Sequence, residues 1–302
     1  MKLLTTLDRA KWLEARQLGI GSSDAPVLVG ASRRKSLLEL YAEKAGLVED
    51  STEETELMEA GLELQPGIGR MFARRTGRTL IDVAPWTVYQ SAEEPWALAS
   101  PDFFCGPVNG HETPGGVEVK FVTFVQGDDW DEEPPLAAQI QVQHQMYVCE
   151  RDWWTVAGLV RGKLKYADVE RDERFLKVLC GLARDFMRRI ELQDPPTPDA
   201  SESARRILAG LFPREAMGKV IPLPPEAWTW DEQYVTATAD EKDAKARKDE
   251  AGNQLRALIG DAERGVLPGG GSWTLKTIER HEQPREARTI TYRDLRRHKE
   301  KS

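Results

Sequence analysis

The chain has 302 residues, 40% of them hydrophobic and 30% charged, a balance that excludes both a wholly disordered chain and a membrane-embedded one. Its net charge of -8 opposes a protein that coats nucleic acid with uniform positive charge, so any contact with phosphates must come from local basic groups. No run reaches the ~20 apolar residues of a membrane span, and Met1 to Asp8 is too polar and short for a secretion signal, so the expected location is cytoplasmic with no membrane partner. Cys105, Cys149 and Cys180 are far apart and unpaired in sequence, which argues for reduced packing residues and against a disulfide framework or a zinc or iron-sulfur site.

In chain order, residues 7–18 carry the periodicity of a short helix stopped by Gly19, and a glycine and serine turn follows. Asp24 with Pro26, and then Ser36 to Gly46, predict further helical turns. Residues 52–76 have helical spacing, with Pro66 and Gly67 a potential break. Residues 79–88, 96–100 and 117–122 are short and rich in β-branched or aromatic residues, the mark of strands. A helix is expected over 135–148, strands over 153–159 and 164–169, and a helix over 171–192. Pro195 to Pro198 reads as a boundary, and a polar helix is expected from about Ala227 to Leu258. A Gly269 to Gly271 loop, a strand over 273–278 and a basic tail follow. The expected fold is α/β, a central mixed sheet flanked by helices, over residues 1–198. A linker at 199–225 and a small helical and β appendage at 226–302 complete it.

The chemistry concentrates in two places. Asp102 ends one candidate strand and Glu118-Val119-Lys120 lies in another, where the two-residue repeat sends Glu118 and Lys120 to one face and Val117, Val119 and Phe121 to the other. Two carboxylates from neighbouring strands suit a hard divalent cation such as Mg2+, and the adjacent Lys120 suits orientation of a water for attack on a phosphodiester. The triplet alone is weak, since Asp243-Ala244-Lys245 in the polar helix repeats it; the strand setting and the upstream Pro101-Asp102 separate the two.

Four blocks together resemble the PD-(D/E)XK nuclease superfamily and, within it, the YqaJ-like viral recombinases or lambda-type exonucleases. Trp12 to Asp24 resembles the opening R-x-x-G-I-G-x-S-D. Gly61 to Pro66, leading to Thr76-Gly77, resembles the G-x-x-L-E-P helix. Asp102 with Glu118 and Lys120 forms the third block, and Gln139 to Val148 resembles the Q-x-Q-h-x-M helix. The resemblance implies a catalytic set of Asp102, Glu118, Lys120 and Gln141. It implies a metal set of Asp102, Glu118, Val119 and Gln65 around Mg2+, with Mn2+ as a substitute. Arg16, Ser22, Ser23 and Gln143 are the implied DNA contacts, with Arg16 and Ser23 on a 5'-phosphate.

One departure stands out: Gln65 occupies a position where the family usually has glutamate. This is compatible with weaker metal affinity, with ligation by Glu63, or with an altered or inactivated site. The function implied is 5' to 3' degradation of linear double-stranded DNA ends, in a bacterial cytoplasm if the chain is phage-encoded. A single-strand annealing protein as partner and a ring-like homo-oligomer, a trimer, are implied as well. The alternatives are an endonuclease of the same superfamily or a DNA-end-binding module with a weakened site.

Overall fold

The structure is a computed structural model that describes residues 1–5, 8–48, 56–122, 130 and 132–279. It divides into two units, Met1–Pro213 and Arg214–Ser302. No helix among the described residues is long and apolar enough to cross a membrane.

Unit 1 begins with β1 (Lys2–Thr5) and α1 (Arg9–Gln17), whose N-cap Asp8 accepts a hydrogen bond from the Lys11 backbone N–H. The one-turn α2 (Ala25–Leu28) and α3 (Leu37–Lys44) follow, the latter capped by Ser36 and closed by Gly46 at φ +67°. Next come α4 (Glu56–Thr76), β2 (Leu80–Asp82), β3 (Thr87–Gln90), β4 (Leu98–Ala99), β5 (Phe103–Cys105) and β6 (Gly115–Val122). The unit closes with α5 (Leu136–Cys149), β7 (Trp153–Val160), β8 (Lys163–Glu170), α6 (Glu173–Glu191) and α7 (Glu202–Leu211).

The central sheet has the order β2-β5-β6-β7-β8, with β6 and β7 parallel and every other pair antiparallel. Helix α5 lies between the two parallel strands in sequence, as a crossover requires. One face of the sheet is covered by α4 through a core of Ile68, Phe72, Phe103, Val117, Val119 and Trp153. The other is covered by α5 through Val142, Met146, Trp154 and Val156. Outside α5, the helices α2, α3 and α6 form a further apolar layer around Tyr41, Leu179 and Phe186.

Several expectations are corrected. Helix α4 is continuous through Pro66, because a proline removes one backbone donor while the sheet-facing stripe of Ile68 and Phe72 still holds the segment. Residues 79–88 form two strands in two sheets, since β3 pairs with β1 and β4. The break falls at Pro85, which has no N–H to offer, and at Trp86, whose φ of +62° redirects the chain. Strands β1 and β5 were too short to show a repeat.

Residues 199–225, expected as a linker, contain α7, which buries Ala204 and Ile207 against Leu38 and Ala42 of α3. Ser203 accepts from the Ser36 backbone N–H at 3.0 Å, and Arg206 pairs with Glu39. The first unit accordingly runs on to Pro213.

Unit 2 holds α8 (Ala227–Ile259) and an antiparallel hairpin of β9 (Arg264–Val266) and β10 (Ser272–Thr274). The hairpin strand expected over 273–278 is thus shorter and starts earlier, and the basic tail lies outside the described residues apart from its approach.

Candidate active site

Phe103 of β5 pairs with Val117 of β6 in an antiparallel register. Asp102, one residue before β5, therefore faces the Glu118 position across the strands, both on the α5 side of the sheet. This places the two carboxylates together without any loop closure. Asp102 Oδ2 accepts from the Val119 backbone N–H at 2.6 Å, which pins the carboxylate to β6.

Glu118 is 4% exposed and accepts three side-chain hydrogen bonds. Its Oε1 accepts from Lys120 Nζ at 2.7 Å and from Gln141 Nε2 at 2.7 Å, and its Oε2 accepts from Gln145 Nε2 at 2.7 Å. Lys120 Nζ also donates to Gln141 Oε1 at 2.8 Å. That triangle sets the Gln141 amide, whose oxygen must meet the ammonium and whose NH2 must meet the carboxylate.

Burial first, and the charge of Glu118 second, push the Asp102 carboxyl well above the usual carboxylate range, against the Val119 N–H and Lys120. Two carboxylates held this close in a dry place are a poor arrangement for anions alone and a good one for a cation. Among the described residues no cluster of three or more His, Cys, Asp or Glu side chains is placed to hold a metal. A cation there would meet two carboxylates, with neutral oxygens and water left to complete its shell, a set that would suit a hard ion such as Mg2+.

Gln145 escaped the sequence reading, although it lies one helical turn after Gln141 and so on the same face. It is 0% exposed, and its Oε1 has no partner. An orphaned buried oxygen costs about 1–3 kcal/mol, so the amide is retained for the bond its nitrogen makes to Glu118. Replacement by leucine, similar in size, is expected to weaken divalent-cation binding about tenfold. Thermal shift against Mn2+ concentration checks this; unchanged midpoints would show that Gln145 only fills space.

The other residues fall in different places. Val119 points its side chain into the α4-side core, leaving only its backbone at the site. Gln65 is partly buried on the stripe of α4 that carries Ile68, Gly69 and Phe72, while Glu63 is exposed. Helix α4 covers the Val117 and Val119 face, and Gln65 makes no hydrogen bond to the cluster around Glu118. Gln143 is engaged within the protein: its Nε2 donates to the Glu170 carbonyl at 2.6 Å, and its Oε1 accepts from the Asp172 N–H at 3.0 Å, so both ends clamp the β8–α6 junction. The look-alike Asp243 and Lys245 lie on α8, which has no buried residue.

The opening turn is tied to the same helix and strand. Ile20 bonds to Trp96 and Leu98 around β4, and Trp12 Nε1 donates to Ser100 Oγ at 3.2 Å, just before Asp102. Gly19 has to be glycine, because a Cβ there would stand 2.0 Å from the Trp96 carbonyl oxygen. Arg16 stacks on Trp12, with 4.6 Å from its guanidinium carbon to the ring centroid, and Arg16 Nη2 donates to Ser23 Oγ at 3.1 Å. Asp24, 3% exposed, accepts from the Gly21 N–H at 3.0 Å and pairs with Lys44 at 2.9 Å. Burial alone would raise its pKa, but Lys44, then Arg16 and Lys35, hold the carboxyl below the usual range.

Ser22 faces inward, its Oγ 3.4 Å from His144 Nδ1. His144 is buried in α5 with Nε2 unpartnered, and burial drives its pKa down to about 4, Asp24 opposing. The folded state thus binds fewer protons than the unfolded chain between about pH 6.5 and 4, and stability present above 6.5 drains away as pH falls. From pH 7 to pH 5 the loss is about 2 kcal/mol. His144→Gln is expected to remove that part of the acid sensitivity, read from denaturant midpoints at both pH values; an unchanged slope would place the titration elsewhere.

The family model described as the YqaJ-like viral recombinase domain matches residues 11–152, which include Asp102, Glu118, Lys120 and the glutamine helix. The uncharacterized protein YqaJ of Bacillus subtilis (strain 168) is 25% identical over 266 residues, 86% of this chain and 81% of that protein. The crystal structure of an alkaline exonuclease from Laribacter hongkongensis is matched over its full length by 68% of this chain, at 19% identity and a TM-score of 0.52. The same enzyme in complex with dAMP gives 18% identity, the same coverage and 0.51. These similarities show that the chain shares the mixed α/β fold of that alkaline exonuclease. Residues 11–152, just under half of the chain, are thus similar to the YqaJ-like viral recombinase domain.

Proposed function

We propose that this chain is a phage-type, metal-dependent exonuclease that hydrolyses phosphodiesters from the ends of linear double-stranded DNA in the 5' to 3' direction. The observation that carries the reading is the joint placement of Asp102, Glu118, Lys120 and Gln141, with one ammonium 2.7 Å from a buried carboxylate. Asp102, Glu118 and the backbone of Val119 would hold Mg2+ or Mn2+. Bound there, the ion would polarise the scissile phosphate and lower the pKa of a water. Glu118, buried and held by three donors, keeps one orientation. Lys120, a third exposed, reaches both the carboxylate and solvent, and so can orient the attacking water and stabilise charge on the phosphate. Gln141 locks the lysine. Arg16 and Ser23 suit a terminal phosphate, a guanidinium and a hydroxyl presented side by side. The 3' single strand left behind would be taken up by an annealing protein, and a ring-like trimer would keep the enzyme on its substrate.

A second reading has one specific observation behind it: Gln65 stands where a third carboxylate is expected, which favours a weakened site retained for DNA-end binding. Digestion of 5'-phosphorylated linear duplex beside closed circular DNA, with Mg2+, separates the readings. Loss of linear DNA with circles intact supports the exonuclease, and cut circles would make it an endonuclease. An inactive wild type that gains activity on Gln65→Glu would favour the end-binding module.

A further inference from the structure

Helix α8 runs for 33 residues without one buried residue. Isolated helices draw most of their stability from packing an apolar face, so such a length calls for a partner. A stripe with alternating steps of four and three begins at Trp230 and Tyr234, passes through Ala237 and Ala244, and ends at Leu255 and Leu258. Trp230 is 59% exposed and Leu258 83%. Glu241 and Lys248 are the two charged positions on it.

Charge is divided along the helix. Residues 227–243 carry five acids, Asp231, Glu232, Asp240, Glu241 and Asp243, against Lys242 alone. Residues 244–259 carry Lys245, Arg247, Lys248 and Arg256 against Asp249 and Glu250. The helix is therefore complementary to a reversed copy of itself. A parallel pair would stack Glu241 on Glu241 and Lys248 on Lys248 inside the seam, which is costly.

We propose that α8 is a self-association element that pairs with α8 of a second copy of this chain, antiparallel and in one register. That register sets Trp230 against Leu255, Tyr234 against Ala251, Ala237 against Lys248 and Glu241 against Ala244. Large residues then meet smaller ones, and Glu241 and Lys248 of opposite copies lie in adjacent layers beside alanines, with room to pair. The flanking positions bring Asp240 beside Arg247 twice, by symmetry. Shifting by one heptad in either direction would face Arg247 with Arg247 or Asp240 with Asp240. The favoured register also overlaps the two helices over nearly their whole length.

The full-length chain tests this in two ways. Trp230→Cys and Leu255→Cys proteins, prepared separately, mixed and oxidised, are expected to give a disulfide-linked pair, with neither linking to itself; Cys105, Cys149 and Cys180 are buried. Because the link reports positions 230 and 255 only, association through unit 1 cannot imitate it. Asp240→Arg or Arg247→Asp alone is expected to weaken the association seen by sedimentation roughly tenfold, and the two together to restore it. Both changes lie at exposed positions of a helix with no buried residue, so unit 1 remains folded. Self-linking of either cysteine protein, no link in the mixture, or a double reversal that fails to restore association would each overturn the proposal.

Discussion

On the proposed exonuclease reading, Lys120→Ala is expected to slow digestion of linear duplex about 10^3-fold, the usual effect of removing one preorganised donor. The fold should persist, because Glu118 keeps its bonds to Gln141 and Gln145, and the loss of one of three donors costs on the order of 1–2 kcal/mol. The matched control is Lys245→Ala, which alters the same acidic-x-Lys triplet on exposed α8 and is expected to leave the rate unchanged. Single-turnover rates with saturating Mg2+ would separate chemistry from binding. A Lys120→Ala enzyme within a fewfold of wild type would remove the lysine from the mechanism and leave Glu118 and Lys120 as a structural ion pair.

Gly116→Ala is expected to destabilise unit 1 by about 3 kcal/mol, the upper end of overpacking, or roughly 10 °C in Tm. A Cβ at Gly116 would stand 2.2 Å from Cζ2 of Trp154, which is 0% exposed, and one at Gly115 would stand 2.4 Å from the Trp153 indole. Neither ring has room to withdraw. Trp154 lies edge-to-face on Phe104, and Trp153 is stacked on His111. Combining Gly116→Ala with Trp154→Leu should cost less than the sum of the two single changes, because the smaller residue relieves the clash that the alanine creates. Strict additivity in urea midpoints would show that the glycine is there for another reason.

The glycines before Glu118 illustrate how far local sequence reached. A glycine pair such as Gly115-Gly116 is compatible with a close approach of something to β6, but does not say of what. The two tryptophans come from β7, nearly forty residues later, and only the parallel pairing of β6 with β7 brings them there. The alternation in β6 correctly sent Val117 and Val119 to the core, because a two-residue repeat depends on nothing beyond the strand itself. The Thr79 to Val88 stretch failed for the opposite reason. Its composition is that of one strand, and the decision to split it between two sheets rests on partners at Lys2–Thr5 and Phe103–Cys105. Helix α7 was missed behind the prolines at 195–198 because its stability comes from α3, more than 150 residues earlier.

By itself, the sequence determined the mixed α/β class and the helix ends marked by Ser36 and Gly46, and it singled out Asp102, Glu118 and Lys120 as candidates, all of which follow from short-range spacing and residue type; Gln141 was singled out by resemblance alone. The tertiary structure alone decided which glutamines serve the carboxylate. Gln141 and Gln145 reach Glu118, whereas Gln143, between them in sequence, points about 200° away from each around the helix and is consumed by the β8–α6 junction. It also decided that His144 and Ser22 are interior groups and that Gln65 sits on the helix covering the opposite face of the sheet. A side chain's role depends on what is packed against it, and packing partners distant in sequence leave no local trace.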